Sequence, residues 1–165
     1  MYHSTGGLLP SGRMVSAGGD FRLNANGVSI DWEIYVPRYF TAGQVEPVFA
    51  GAWANPGYRS LFFGSQYVVD HLPMPPGEAA VSHVVLMRPC STTHHSDMDQ
   101  KYIELPSMPN ADGSNVTVTM PAAPPLTHTG VTLPQGTIAL LPGFYMMFLV
   151  TTKGTPSQAR WVRVQ

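Results

Sequence analysis

Glycine and proline, 16 of each, break this 165-residue chain into short runs. A proline inside a helix removes a hydrogen bond and clashes with the preceding turn, and an interior glycine weakens helix and strand alike. Long helices are therefore disfavoured almost everywhere, and short strands joined by turns are what remains. The apolar run "IALLPGFYMMFLV" at 138–150 would pass for a helix on content alone, but Pro142 and Gly143 split it. It also falls short of the roughly 18 apolar residues of a membrane span.

The runs between breakers alternate as strands do. In "VSIDWEIYVPRYF" (28–40), Ile30, Trp32, Ile34 and Val36 alternate with Asp31, Glu33 and Tyr35, and Pro37 ends the strand. "GLLPSGRMVSAGGD" (7–20) reads as strand, turn, strand, with Pro10, Ser11 and Gly12 in the turn. Strand–turn–strand units of this kind suit propeller blades and meanders. Three strands make a marginal module that needs a neighbour over its apolar face. Residues 41–60 read as an irregular linker with some packed aromatics. Strand-like pieces follow at 59–72, 80–88, 101–106, 114–121, 136–142, 143–152 and 159–165. In "NVTVTM", Val116 and Val118 face away from Thr117 and Thr119, and Trp161–Val164 alternate likewise. Six or seven short strands at this spacing predict a β-sandwich.

Only 12% of residues are charged, the formal net charge is -1, and lysine occurs only at 101 and 153. No basic cluster marks a nucleic-acid surface. Cys90 is the only cysteine, so no internal disulfide forms. The opening "MYHSTGGLLPSGR" lacks the basic start and apolar core of a signal peptide, so the chain is expected to begin inside a structural unit. Asn115-Val116-Thr117 is a glycosylation sequon, usable only in a secreted protein.

Chemistry concentrates in "RPCSTTHHSDMDQKYIELP" (88–106). Successive side chains diverge on an extended chain, so His94 and His95 are not expected to share one ion. On one reading, one histidine is exposed and the other bonds to Asp97, Asp99 or a backbone group, with the aspartates as turn residues. On the other, a histidine here joins donors from elsewhere. Imidazole suits copper, zinc and iron, and Tyr2 and His3 form a second adjacent donor pair just before a strand. His71 is a further histidine, His83 lies in a strand and reads as structural, and His128 lies in a Pro/Thr-rich loop.

Four segments in order carry a resemblance: "MYHSTGGLLPSGRMVSAGG", "WEIYVPRYF", "LMRPCSTTHHSDMDQKYIEL" and "LPGFYMMFLVTTKGTPSQARWVRV". Together the chain resembles the C-terminal region of the galactose oxidase and glyoxal oxidase family, the copper radical oxidases. The resemblance implies an all-β chain, an immunoglobulin-like early-set β-sandwich at 41–165 preceded at 1–40 by the last strands of a β-propeller. It implies Cu(II) as cofactor, with Tyr2 the axial ligand and His3 and His94 the equatorial histidines. Tyr2 is then also the catalytic residue that accepts the substrate hydroxyl proton. In the family a second tyrosine, crosslinked to a cysteine, takes a hydrogen atom, and dioxygen leaves as hydrogen peroxide. That tyrosine and cysteine belong to earlier propeller blades absent from these residues, and Cys90 does not match the crosslinked position. The resemblance therefore implies a piece of an oxidase of primary alcohols or aldehydes, inactive by itself, whose partners are propeller blades in cis or in trans. An extracellular location is implied by family. Two alternatives stay open: a stand-alone extracellular early-set domain with a binding or structural role and a vestigial site, or copper binding without turnover.

Overall fold

The computed structural model describes residues 4–18, 32–94, 96–124, 126–127, 130–131 and 140–165. At the N-terminal end, β1 (Ser4–Leu8), β2 (Met14–Gly18) and β3 (Trp32–Tyr35) form an antiparallel sheet in that order. The expected turn at 10–12 is present. The Leu9 N–H donates to the Arg13 carbonyl at 2.8 Å, and Gly12 takes φ +75°, a region glycine enters without steric cost. Strand β3 stops before Pro37, and Arg38–Thr41 then make a single helical turn, α1. This turn folds back on the hairpin: the Tyr39 hydroxyl donates to the Gly12 carbonyl at 3.0 Å, and Arg13 lies over the Phe40 ring.

The remaining strands are β4 (Tyr58–Leu61), β5 (Gln66–Asp70), β6 (Val81–Met87), β7 (Thr92–Thr93), β8 (Ser96–Asp97), β9 (Tyr102–Leu105), β10 (Ser107–Pro109), β11 (Asn115–Thr119), β12 (Leu126–Thr127), β13 (Gly130–Val131), β14 (Gly143–Thr151) and β15 (Arg160–Val164). A five-stranded sheet, β4-β15-β14-β6-β9, packs with a three-stranded sheet, β10-β11-β5. This is the all-β sandwich expected from the sequence. All its strand pairs are antiparallel except β15 with β4, which run parallel. Leu86, Tyr145, Met147, Leu149 and Val162 from the larger sheet meet Val69, Val116 and Val118 from the smaller, all essentially without solvent exposure. In β11 the valines point inward and the threonines outward, as their alternation requires.

Strands β14 and β6 are buried on both faces, which explains why β14 reads as a continuous apolar run. On the outer face, Val85, Met146, Phe148, Val150 and Ala159 form a second cluster, against which Leu8 and Met87 pack. The N-terminal hairpin reaches this face directly, where the Ala159 N–H donates to the Pro10 carbonyl at 2.7 Å.

Two local readings of the sequence change. Residues 41–60 are more than a linker: Phe49 and Trp53 belong to the sandwich core, and Tyr58–Leu61 is a strand. The Trp53 indole N–H donates to the Val68 carbonyl at 2.8 Å, so its burial leaves no polar atom stranded. The run 101–106 is one strand of a pair. Pro106 separates β9 in the larger sheet from β10 in the smaller, and the chain switches sheets at that bend. The strand expected at 136–142 lies largely outside the described residues.

Candidate metal centre

Strands β7 and β8 form a small hairpin with Thr92 opposite Asp97 and Thr93 opposite Ser96. His94 is the first residue of its two-residue loop and takes φ +51°. A two-residue hairpin favours a turn whose first central residue has positive φ. Residues other than glycine are uncommon in this region, and histidine, with asparagine and aspartate, is among those that enter it most readily. The ring is exposed, and its Nδ1 lies 2.8 Å from the Thr93 hydroxyl oxygen. In the tautomer with its proton on Nδ1, the ring donates to Thr93 and Nε2 presents a lone pair, the arrangement usual for a metal-ligating histidine.

The aspartates behave as the turn reading predicts. Asp97 Oδ1 accepts from the backbone N–H groups of Ser91 at 3.0 Å and Asp99 at 3.1 Å, and the Met98 N–H donates to the Ser91 carbonyl. Asp99 anchors the base of the loop. Its carboxylate meets Lys101 Nζ and, at 3.1 Å, Arg88 Nε. The bond from Lys101 and the charge of Arg88 hold the Asp99 carboxyl below the usual carboxylate range, against the opposing effect of desolvation. Arg88 also donates to the Phe144 carbonyl at 3.3 Å and lies over the Tyr145 ring, 4.7 Å from its centroid. A Cβ at Gly143 would sit 2.3 Å from Arg88 Nη1, and Gly143 takes φ +140°. The Pro-Gly break that argues against a helix thus makes room for this guanidinium.

The hairpin is also fastened to the N-terminal sheet. The half-buried Thr92 hydroxyl donates to the Gly6 carbonyl at 2.8 Å. Gly7 is buried so closely against Cys90 that a Cβ there would lie 2.2 Å from the sulfur. No spacing rule signals either contact in the sequence.

Of the three residues expected to bind metal, His94 is placed by the structure, whereas Tyr2 and His3 lie outside the described residues, as do His95 and His128. His71 is buried with Nδ1 2.9 Å from the Leu72 carbonyl, and the half-buried His83 pairs its Nδ1 with Ser82, which supports a structural reading of His83. Among the described residues no group of three or more His, Cys, Asp or Glu side chains is placed to hold a metal ion. An exposed imidazole with one nitrogen hydrogen-bonded and the other available fits Cu(II) as a single donor.

Residues 54–164 match the family described as "Galactose oxidase-like, Early set domain". The chain belongs to this family. The matched residues hold most of both sandwich sheets and the His94 hairpin. The early set chain is 25% identical over 164 residues to a galactose oxidase of Gibberella zeae, covering 99% of this chain and 21% of that protein. It is 29% identical over 171 residues to the "Aldehyde oxidase GLOX" of Vitis pseudoreticulata, covering 99% of this chain and 30% of that one. A fungal alcohol oxidase solved in complex with copper superposes with a TM-score of 0.69 at 24% identity, over 99% of this chain and 31% of its own. That likeness speaks to the fold. The early set chain thus spans between about a fifth and a third of these relatives. Among its described residues no helix is long and apolar enough to cross a membrane.

Proposed function

We propose that these residues are the C-terminal part of a secreted copper radical oxidase that converts primary alcohols or aldehydes with dioxygen, releasing hydrogen peroxide. Residues 1–40 are the closing strands of its propeller, and residues 41–165 are the early-set sandwich on which the copper loop is mounted. Tyr2, His3 and His94 are the ligands. One observation carries the reading: the hairpin bearing His94 is bonded to β1, and β1 begins at the residue after His3. Alignment of 99% of the chain with the galactose oxidase and the aldehyde oxidase supports including the N-terminal strands.

A primary alcohol gives up two electrons and two protons to become an aldehyde, and dioxygen takes up both to become hydrogen peroxide. Tyr2 contributes a phenolate oxygen that accepts the substrate hydroxyl proton. His94 contributes Nε2, with its Nδ1 hydrogen-bonded to the Thr93 hydroxyl. Bound Cu(II) supplies a one-electron acceptor and a Lewis acid for the substrate oxygen. The family resemblance assigns the radical tyrosine and its cysteine to propeller blades outside these residues, so the behaviour expected of these residues by themselves is copper binding without turnover.

A copper titration of the chain and of His94→Ala tests this, with peroxide production from simple alcohols and aldehydes assayed alongside. The expected result is one equivalent of Cu(II) bound at least tenfold more tightly by the wild type, with no sustained peroxide. Equal, weak uptake by both proteins would remove the ligand set.

A further inference from the structure

Strand β1 is an edge strand, and an edge leaves some of its carbonyl groups without a strand partner. That of Gly6 is taken by a side chain 86 positions away, the hydroxyl of Thr92. This side-chain hydrogen bond joins the β7–β8 hairpin to the N-terminal sheet. Gly7, the next residue of β1, meets Cys90 with no room for a Cβ between them. The hairpin and the strand are therefore in register at two successive points: backbone against Cys90, and carbonyl against Thr92.

The hairpin is stiff on its other side. Asp97 lies opposite Thr92 and its Oδ1 accepts from the amides of Ser91 and Asp99, which ties the two sides of the hairpin stem together. Thr92 stands two residues before His94, and Gly6 stands three residues after His3 in the chain. At roughly 3.5 Å per residue, each histidine lies within about 10 Å of chain from the Thr92–Gly6 bond.

We propose that Thr92 is a positioning residue for the copper site, its hydroxyl setting the distance and angle at which the His94 loop is offered to the segment that carries Tyr2 and His3. The proposal rests on the copper reading above and deepens it. Thr92 is not itself a ligand in this reading. It acts by fastening the loop of one ligand to the strand of the others, as outer-shell partners do in metal sites generally. The chemistry required is that of a short hydrogen-bond donor. Valine has the shape without the donor, and serine has the donor without the methyl.

The test uses the full chain with Cu(II) alone as the probe, in wild type, Thr92→Val, Thr92→Ser and His94→Ala. Affinity is read by titration, and the number of coordinating nitrogens by the hyperfine pattern of the electron paramagnetic resonance spectrum. The expected result is a loss of affinity of about 10–100-fold in Thr92→Val. One of two nitrogen couplings should vanish, and Thr92→Ser should restore both. In the copper-free protein, Thr92→Val should speed amide exchange in 4–8 and 92–97 and leave 143–151 unchanged, which separates a freed loop from an unfolded domain. Wild-type affinity and a two-nitrogen spectrum in Thr92→Val, beside an impaired His94→Ala, would overturn the role of Thr92 and leave the ligand set standing. Loss in Thr92→Val without rescue by serine would also overturn it, because the hydroxyl would not be the cause. Wild-type binding by His94→Ala would overturn the ligand set itself.

Discussion

Cys90 stands against Gly7 so closely that a Cβ on the glycine would fall 2.2 Å from its Sγ and 3.0 Å from its own Cβ. Two segments of the chain meet there through the smallest residue available, and the fit is testable by crowding it. Gly7→Ala should destabilise the fold by about 1–3 kcal/mol, the usual cost of overpacking. Cys90→Ala in the same chain should recover part of that loss, since the sulfur is the nearer obstacle. Denaturant unfolding of both single variants and the double variant measures the coupling. Purely additive effects would mean that the two residues do not meet.

Asp99 gives the protein an acid limit. Its folded carboxyl titrates below its unfolded value because Lys101 and Arg88 favour the ionised form. The stabilisation is therefore complete above the unfolded value, about 3.9, and is lost as pH falls through the folded one. Asp99→Asn should lower the melting temperature at pH 7 and have a smaller effect once the pH has fallen through the folded value. Melting curves across that range check the sign. A deficit that does not shrink in acid would remove the ion pairs as its cause.

The exposed face of the N-terminal sheet should govern association. Trp32 is 66% exposed and Ile34 38%, on the edge strand β3, an apolar surface that a folded domain rarely leaves bare. Trp32→Ser with Ile34→Thr should change stability by no more than about 0.5 kcal/mol per site. It should also abolish concentration-dependent self-association in sedimentation experiments. Unchanged association would place the sticky surface elsewhere.

The sandwich core should be far less forgiving. Leu149 has no solvent exposure and packs in the cluster between the two sheets. Leu149→Ala should cost about 2–5 kcal/mol in denaturant unfolding. A loss under 1 kcal/mol would show that the site collapses around the missing atoms.

Much of this architecture is legible in the sequence because it rests on local periodicity. Val116 and Val118 are inside, Thr117 and Thr119 are turned outward, and Pro142-Gly143 interrupts what content alone would make a helix. His94 is likewise exposed, and Asp97 accepts local backbone bonds, as their loop chemistry suggests. What the sequence hides depends on distant partners. Phe49 and Trp53 sit in a segment with no strand pattern, yet both reach the core, because burial there comes from a loop folding over the sheet edge. Pro106 looks like the end of one strand and is the corner between two sheets. The Thr92–Gly6 bond joins a common residue type to a backbone carbonyl, and neither leaves a mark in composition or spacing.

The parallel contact between β15 and β4 has a kinetic meaning. Strand β15 is the last of the named strands along the chain, yet it lies inside the larger sheet, and β4 has no other neighbour there. A chain emerging from the ribosome in order must hold β4 beside an empty lane until residues 160–164 arrive to fill it. Pairing across such a separation is slow, because loop closure comes before the contact that rewards it. The larger sheet therefore closes only when β15 arrives, and the open sides of β4 and β6 are the surfaces that wait longest for a partner during synthesis.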